Sequence, residues 1–319
     1  MMDVKEFTKM IKEELPDFLP DDVYQDLVIE DVEVAKMNDQ KLHGLIFRPK
    51  GSDAAPTLYI DDLYERHENG EDLGFLLVDL ANRYSEARHA PTPPTVDLSW
   101  ESVRDKLTVR LLEKSRNIDF LANMPYADVG NGLAMTVDIN MGEDRGGDWR
   151  VAVNHGVMEA LGVDKETLFI TAMDDSMVNA PAVLTDMSMA LFSPEKENLL
   201  DRNQPLEPGD VSGMYVLTNE AGTLGASALY YPDVKEKAAE LMGSGYYVLP
   251  SSIHEVILVP DTMDHDVRGL CDMVKQANRT VVEPKDVLSD NVYHYDKDSR
   301  DLSRVNPERE KADRVAEGR

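Results

Sequence analysis

The sequence contains very little cysteine, and this scarcity limits its covalent chemistry. Cys271 is the only cysteine in 319 residues. An intramolecular disulfide is therefore impossible, and a zinc site would need ligands of other types. Cys271 also falls on an apolar stripe of a predicted helix, which favours a buried, inert thiol over a nucleophile, because a reactive cysteine must be exposed and readily deprotonated.

Basic residues are also scarce. The chain has 33 lysines and arginines against 61 aspartates and glutamates, which gives a formal net charge of -28. Direct nucleic-acid binding is excluded on this ground, because phosphate contacts need clustered basic side chains. The acidity leaves two interpretations open. It either keeps the protein soluble, or forms a surface that binds a basic partner, including by imitating a nucleic acid.

Long apolar runs are missing as well. No run approaches the roughly 20 residues that a membrane-spanning helix needs. The N-terminal segment Met1–Glu6 is charged and lacks the apolar centre of a signal peptide. We therefore expect a cytoplasmic protein with no membrane association. The hydrophobic fraction of 42% is enough for one large core or two smaller ones.

The usual catalytic and phosphate-binding motifs are absent too. Gly142, Gly146 and Gly147 fit neither the P-loop nor the dinucleotide spacing, and the last two predict a hairpin turn. The run from Gly225 to Leu229 resembles a nucleophile elbow except at its last residue, and Ser227 is predicted to lie within a strand. No cofactor is predicted.

What the sequence does contain is a recurring order of hairpin and helix. In residues 1–90, a helix over 3–15 ends at Pro16, a hairpin turns at residues 38–41, and a second helix carries an apolar stripe from Leu73 to Tyr84. The proline-rich stretch 91–97 predicts an extended linker. Together these segments indicate an N-terminal α+β region joined to a larger domain.

The same order continues through residues 98–305. The first predicted element is a helix that contains Val103, Leu107, Leu111 and Leu112 and ends before Pro125. A hairpin of 133–141 with 148–153 and a helix over 166–177 follow. The last elements are a hairpin of 214–217 with 226–231, a helix from Pro232 to Gly243, and a strand pair over 246–259 followed by a helix near 265. The fold class is therefore α+β, mainly antiparallel sheet built from successive hairpin–helix units with the helices mostly on one face. Residues 306–319 are charged and aperiodic, which predicts a disordered tail.

His254 and Glu255 are the clearest polar pair, at the start of the most hydrophobic run. A zinc protease would need a second histidine four residues later on a helix, and position 258 is leucine. Neighbouring residues of a strand point to opposite faces, so the pair would diverge. Two interpretations stay open: polar groups bonded near a strand entrance, or weak catalytic candidates together with Ser252.

Asp261, Asp264 and His265 form the densest group of possible metal ligands. Carboxylates and an imidazole can bind a divalent cation. The competing interpretation is that Asp264 caps a helix that begins near His265. The pair Asp174 and Asp175 is predicted to lie on the solvated face of a helix.

Four segments resemble an uncharacterised bacterial family of gut Clostridia, domain-of-unknown-function family 5688. They are Leu42-His43-Gly44-Leu45 with Ala55–Ile60; Asn117–Pro125; Met214–Asn219 through Tyr231-Pro232-Asp233-Val234; and Gly245–Pro260 through Val292–Asp296. The resemblance extends to about residue 305. It implies a soluble intracellular protein and brings no activity, ligand or site residue with it.

Three functional hypotheses follow. The first is a non-enzymatic protein that binds a basic or sheet-edge-binding protein partner, which predicts an open edge strand or an exposed apolar patch. The second is a hydrolase or metal-dependent enzyme with its site near His254 and Glu255, which predicts that these side chains converge. The third, a nucleic-acid mimic, predicts carboxylates spaced like phosphates on one face.

Overall fold

The computed structural model describes residues 2–51, 55–89, 97–144, 147–192, 197–206, 213–250, 252–262 and 266–307. The chain divides into two compact units, Met1–Val96 and Asp97–Arg319. Of the predicted linker 91–97, only Asp97 is among the described residues. Of the predicted tail 306–319, only residues 306 and 307 are. Within the described part, no helix is both long and apolar enough to cross a membrane.

In its described residues, the first unit combines four α-helices with a small sheet. The helices are α1 (Val4–Glu14), α2 (Asp21–Tyr24), α3 (Asp61–Glu68) and α4 (Leu73–His89). The strands are β1 (Leu27–Ala35), β2 (Lys41–Pro49) and β3 (Thr57–Tyr59), which form an antiparallel sheet in the order β1-β2-β3. The two helices and the hairpin that the sequence predicts here are all present.

Helix α1 begins at a complete capping box. The Asp3 carboxylate accepts from the Glu6 amide at 2.8 Å, and the Glu6 carboxylate accepts from the Asp3 amide at 3.2 Å. This exchange satisfies amides that the first turn leaves without a partner. Phe7 and Ile11, one turn apart, are fully buried against the sheet and α4 in the core of this unit.

The β1–β2 hairpin presents one face to that core. Leu27, Leu45 and Phe47 are buried there, and the Phe47 ring stacks on Tyr84 of α4 at 4.6 Å between centroids. The turn between the strands contains Asn38 at φ 57°, a left-handed conformation that asparagine tolerates better than most residues. Alternation of buried and exposed side chains therefore sets the register of the hairpin.

The second unit contains two antiparallel sheets and seven helices in the described residues. The helices are α5 (Trp100–Val103), α6 (Ile118–Leu121), α7 (His155–Leu161), α8 (Lys165–Asn179), α9 (Met187–Phe192), α10 (Val234–Met242) and α11 (Val267–Thr280). The strands are β4 (Leu107–Glu113), β5 (Ala127–Gly130), β6 (Leu133–Asp144), β7 (Gly147–Ala152), β8 (Ala182–Asp186), β9 (Tyr215–Asn219), β10 (Tyr246–Leu249), β11 (Val256–Pro260), β12 (Tyr293–Asp296) and β13 (Asp301–Arg304).

The larger sheet has the strand order β13-β12-β10-β11-β9-β8. Strands β10 and β11 are its two central strands, and all four side chains of β10 are buried. Val267, Leu270, Cys271 and Val274 of α11 pack against this sheet, as their helical spacing predicts. In the smaller sheet, β6 pairs with β4 along one side and with β5 and β7 along the other. These antiparallel sheets and their helices confirm the α+β class.

The helix predicted to contain Val103, Leu107, Leu111 and Leu112 is wrong. Val103 ends the short helix Trp100–Val103, Leu107–Glu113 forms β4, and the short helix Ile118–Leu121 follows before Pro125. The apolar spacing of Val103, Leu107 and Leu111 is four residues, which places side chains on one face of a strand as well as of a helix. Pairing of β4 with β6 over its whole length decides for the strand.

The strand predicted over residues 226–231 is also wrong. Gly225–Tyr230 is a short 3₁₀ helix, and β9 pairs with β8 and β11 instead. Its small residues are buried on every side, so no alternation distinguishes helix from strand. Ser227 lies inside this turn, and its hydroxyl donates to the Leu224 carbonyl at 2.8 Å. The Ser227 side chain therefore stabilises the 3₁₀ turn.

Candidate functional site

Ser252 and Glu255 close the loop between the two central strands. The Ser252 hydroxyl donates to Glu255 Oε1 at 2.9 Å and accepts from the His254 amide at 3.0 Å. Both His254 and Glu255 precede β11, which begins at Val256, so they lie in the loop and not within the strand. The two side chains that do converge, Ser252 and Glu255, stabilise the corner.

His254 is turned away from that pair. Its Nδ1 accepts from the Leu224 amide at 3.2 Å, and its Nε2 lies 3.6 Å from Asp286 Oδ1. The His254 carbonyl accepts from the Thr218 hydroxyl at 2.8 Å. In this geometry His254 attaches the loop to the segment that follows β9, and a catalytic role for Ser252, His254 and Glu255 stays a prediction.

Of the acidic group after β11, the structure describes Asp261 and Asp266. Asp261 Oδ2 lies 3.0 Å from Nε2 of His294 on β12. Asp264 and His265 lie outside the described residues. Helix α11 starts at Val267, and its cap is Asp266, which accepts from the Arg268 amide at 3.2 Å. Among the described residues, no three His, Cys, Asp or Glu side chains are placed to hold a metal ion.

Side chains of α8 seal the outer edge of β4. The Leu107 amide donates to Asp175 Oδ2 at 3.3 Å, and the Val109 amide donates to the Ser176 hydroxyl at 2.9 Å. Burial raises the pKa of the Asp175 carboxyl. The prediction that both aspartates are solvated is therefore wrong for Asp175, because its side chain replaces a strand partner, whereas Asp174 is exposed.

The β8 edge of the larger sheet is sealed in the same manner. Asn198 Oδ1 accepts from the Leu184 amide at 3.0 Å, and its Nδ2 donates to the Ala182 carbonyl at 3.0 Å. One side-chain amide thus imitates the peptide group of a neighbouring strand. Because the Leu184 amide and the Ala182 carbonyl already have hydrogen-bond partners, another strand cannot pair with β8 through them.

Strand β1 is an edge without such a seal. The bonds Lys36 N to Gln40 O and Asp26 O to Lys50 N, both 2.7 Å, show that even-numbered residues of this strand bond to β2. The odd-numbered residues therefore direct their amides and carbonyls outward. In the described part of the chain, no other residue bonds the outward amides of Ile29, Asp31 and Glu33.

The side chains of β1 are acidic along this edge. Glu30, Asp31 and Glu33 are exposed, and no basic residue occurs in the strand. Each carboxylate has one cation from a neighbouring element: Arg48 at 3.5 Å from Glu30, Lys12 at 2.6 Å from Asp31, and Lys41 at 2.8 Å from Glu33. The hydrogen bonds from Lys12 and Lys41 lower the pKa values of Asp31 and Glu33.

A cleft of about 480 Å³ lies between α1 and the β1–β2 hairpin. One stripe of α1 forms the first wall, with Lys5, Thr8, Lys9, Lys12 and Glu13 at helical spacing. Asp31, Glu33 and His43 line the strand wall. Its volume is within the range of small-ligand sites.

The orientation of the His43 ring in this cleft is set by Asp61, at the start of α3. One Asp61 oxygen accepts from the His43 amide at 2.9 Å, and the other lies 2.9 Å from the ring Nδ1. The ring Nε2 faces Glu33 Oε2 at 3.5 Å. His43 belongs to a segment that carries the family resemblance, but its partners Glu33 and Asp61 are 10 and 18 residues away, so nothing local in the sequence indicates this contact.

The comparisons with known proteins give a family without an activity. A protein-family model described as "Family of unknown function (DUF5688)" matches residues 4–297. No curated protein matches the chain, and no solved structure does. The match covers more than nine-tenths of the chain and includes both compact units.

Proposed function

The chain belongs to the DUF5688 family of unknown function, and on its own geometry we propose that it binds a protein partner by strand addition at β1. The observation that carries the proposal is the outward row of amides and carbonyls on β1, to which no other described residue bonds. An extended segment can bond to such a row as an additional strand. Edges β4 and β8 have side-chain caps at the corresponding groups, whereas the nine-residue edge β1 has none from the described residues.

The charge of β1 favours a basic segment as the occupant. Residues directly opposite each other on paired strands interact, and like charges destabilise the pair. A second copy of β1 would place Glu30, Asp31 and Glu33 close to one another, which disfavours self-pairing. The internal ion pairs of these carboxylates are exposed and individually weak, so lysines or arginines of a partner can share them. The net charge of -28 also attracts a basic partner at long range.

The outer face of the hairpin favours apolar residues at alternate positions of the partner. Val28 is 42% exposed, and Val32 and Val34 are half-buried on the same face. A partner strand would place every second side chain next to these valines. The partner segment is therefore extended and basic, with β-branched or other apolar residues on one face.

The open edge makes a prediction for the free protein. The amides of Ile29, Asp31 and Glu33 should exchange with deuterium much faster than those of Glu30 and Val32, which bond to β2. Residue-resolved hydrogen exchange by NMR checks this alternation. Slow exchange at all five positions would mean that another group already covers the edge.

Binding is tested with a nine-residue peptide that has valine at every second position and lysine or threonine between. We expect it to bind and to slow exchange at Asp31 and Glu33. Asp31→Pro should abolish binding, because it removes an outward amide while leaving the bonds to β2 intact. Asp31→Asn, which keeps the amide, should retain most of the affinity.

Three controls decide the outcome. Circular dichroism confirms that both variants are folded, and a peptide with glutamate in place of lysine should bind at least about ten-fold more weakly, roughly the effect of one charge pair. Light scattering should give a monomer. Equal peptide binding by Asp31→Pro and the unaltered protein would refute strand addition, and a dimer that Asp31→Pro dissociates would assign the edge to self-pairing.

A further inference from the structure

The ammonium group of Lys235 lies back over the turn that precedes α10. The backbone at Asp233 has φ 63°, and this reversal brings the second residue of the helix onto the preceding 3₁₀ turn. Lys235 Nζ lies 4.7 Å from the centre of the Tyr230 ring and 3.5 Å from the Leu229 carbonyl oxygen. Within the described residues, no carboxylate forms an ion pair with it. Its described neighbours are therefore one hydrogen-bond acceptor and the face of a ring.

This environment favours the neutral amine. Burial against the turn lowers the pKa of Lys235, and the charge of Glu236 acts in the opposite direction. The positive end of α10 also disfavours a cation in the first turn of the helix. A lysine that loses its proton readily is more nucleophilic than an ordinary lysine at the same pH, as in enzymes that form Schiff bases. Lys235 is half-buried, so solvent reaches part of its side chain.

The neighbours of Nζ suit one kind of adduct. An amine and an aldehyde condense to an imine: a carbon–nitrogen bond forms, and the carbonyl oxygen leaves as water. A protonated imine has one N–H, which the Leu229 carbonyl can accept, whereas an ammonium group has three to satisfy. The imine also keeps the positive charge that the Tyr230 ring attracts. An acyl group would instead leave a neutral amide.

We propose that Lys235 is a carbonyl-reactive site that binds a small aldehyde as a protonated imine. The Leu229 carbonyl and the Tyr230 ring hold the adduct, and the turn at Asp233 positions the lysine on them. These residues belong to the second compact unit, so the site does not depend on strand addition at β1.

Trapping with borohydride tests the site on the full chain. The protein is equilibrated with propionaldehyde at neutral pH, hydride reduces the imines to stable secondary amines, and peptide mass spectrometry quantifies the adduct on each lysine. Lys165 is the matched control, because its Nζ lies 5.6 Å from the centre of the Tyr126 ring but the residue is exposed. We expect at least about five-fold more adduct on Lys235 than on Lys165. The acylating reagent N-acetoxysuccinimide should show a smaller preference.

Three results would overturn the proposal. Equal adduct on Lys165 and Lys235 would show that the turn does not select for the imine. A preference for Lys235 that is no larger with propionaldehyde than with N-acetoxysuccinimide would indicate a lysine that is nucleophilic in general. A preference that persists in concentrated urea would assign the selectivity to the local sequence and not to the folded turn.

Discussion

Asp138→Ala should destabilise the second unit by about 3–5 kcal/mol, the range observed when one partner of a buried ion pair is removed. Asp138 lies on β6 with 1% of its side chain exposed. Its carboxylate forms an ion pair with Arg110 of β4, and Arg150 of β7 acts on it through its charge. Burial raises the pKa of Asp138, and both arginines act in the opposite direction.

The loss has a specific cause, which a second variant isolates. Removing Asp138 alone leaves the Arg110 guanidinium, whose side chain is only 15% exposed, beside a space without its counter-charge. The double variant Asp138→Leu with Arg110→Met removes both charges and should recover much of the lost stability. Urea denaturation measures both. Asp174→Ala on the exposed face of α8 is the control, with an expected change within about 0.5 kcal/mol. An Asp138→Ala value as small as the control would contradict the assignment.

Gly225→Ala should destabilise the same unit by about 3 kcal/mol, at the upper end of the range for overpacking. A Cβ atom at Gly225 would meet the Thr218 hydroxyl, the His254 carbonyl at 2.5 Å and the Asn219 amide at 2.7 Å. Two of these are backbone atoms, so the main chain of the loop before β11 or of β9 must move. In a unit of this size, the midpoint of thermal unfolding should fall by about 6–12 °C.

The matched control for Gly225 is Gly269→Ala. Gly269 lies within α11, and a Cβ atom there meets only Asp266, at 3.8 Å. Alanine is a better helix former than glycine, so this variant should be neutral or stabilise by about 0.5–1 kcal/mol. Differential scanning calorimetry of both variants gives the comparison. A Gly225→Ala midpoint equal to that of the unaltered protein would mean that the loop is not packed as closely as described.

Sequence patterns predict those parts of the fold that depend on local order. The amphipathic helix α1 and the β1–β2 hairpin each occupy one continuous segment, and both predictions are confirmed. Residues 107–113 and 226–231 were wrongly assigned because their apolar residues are buried on both faces. In such segments, periodicity does not distinguish helix from strand. Whether the segment pairs with distant strands then determines its secondary structure.

The candidate site depends almost entirely on distant pairs. The sequence places His43 only within a family segment, because the fold of the hairpin and α3 is what brings Glu33 and Asp61 to its ring. Helical spacing alone places Asp175 in solvent, because its strand partner, Leu107, is 68 residues away in the sequence. An open edge cannot be found in one strand's sequence, because it depends on which other strands and side chains leave it unpaired.

The division into two units also determines what a fluorescence experiment can observe. The chain has two tryptophans, Trp100 and Trp149, and both belong to the second unit. Their emission therefore reports the unfolding of that unit alone, whereas peptide-bond absorption in the far ultraviolet reports both. Where the far-ultraviolet unfolding curve differs from the fluorescence curve, the difference reports the first unit, which carries the open edge and the cleft. Ligand effects on the first unit can therefore be followed without a label.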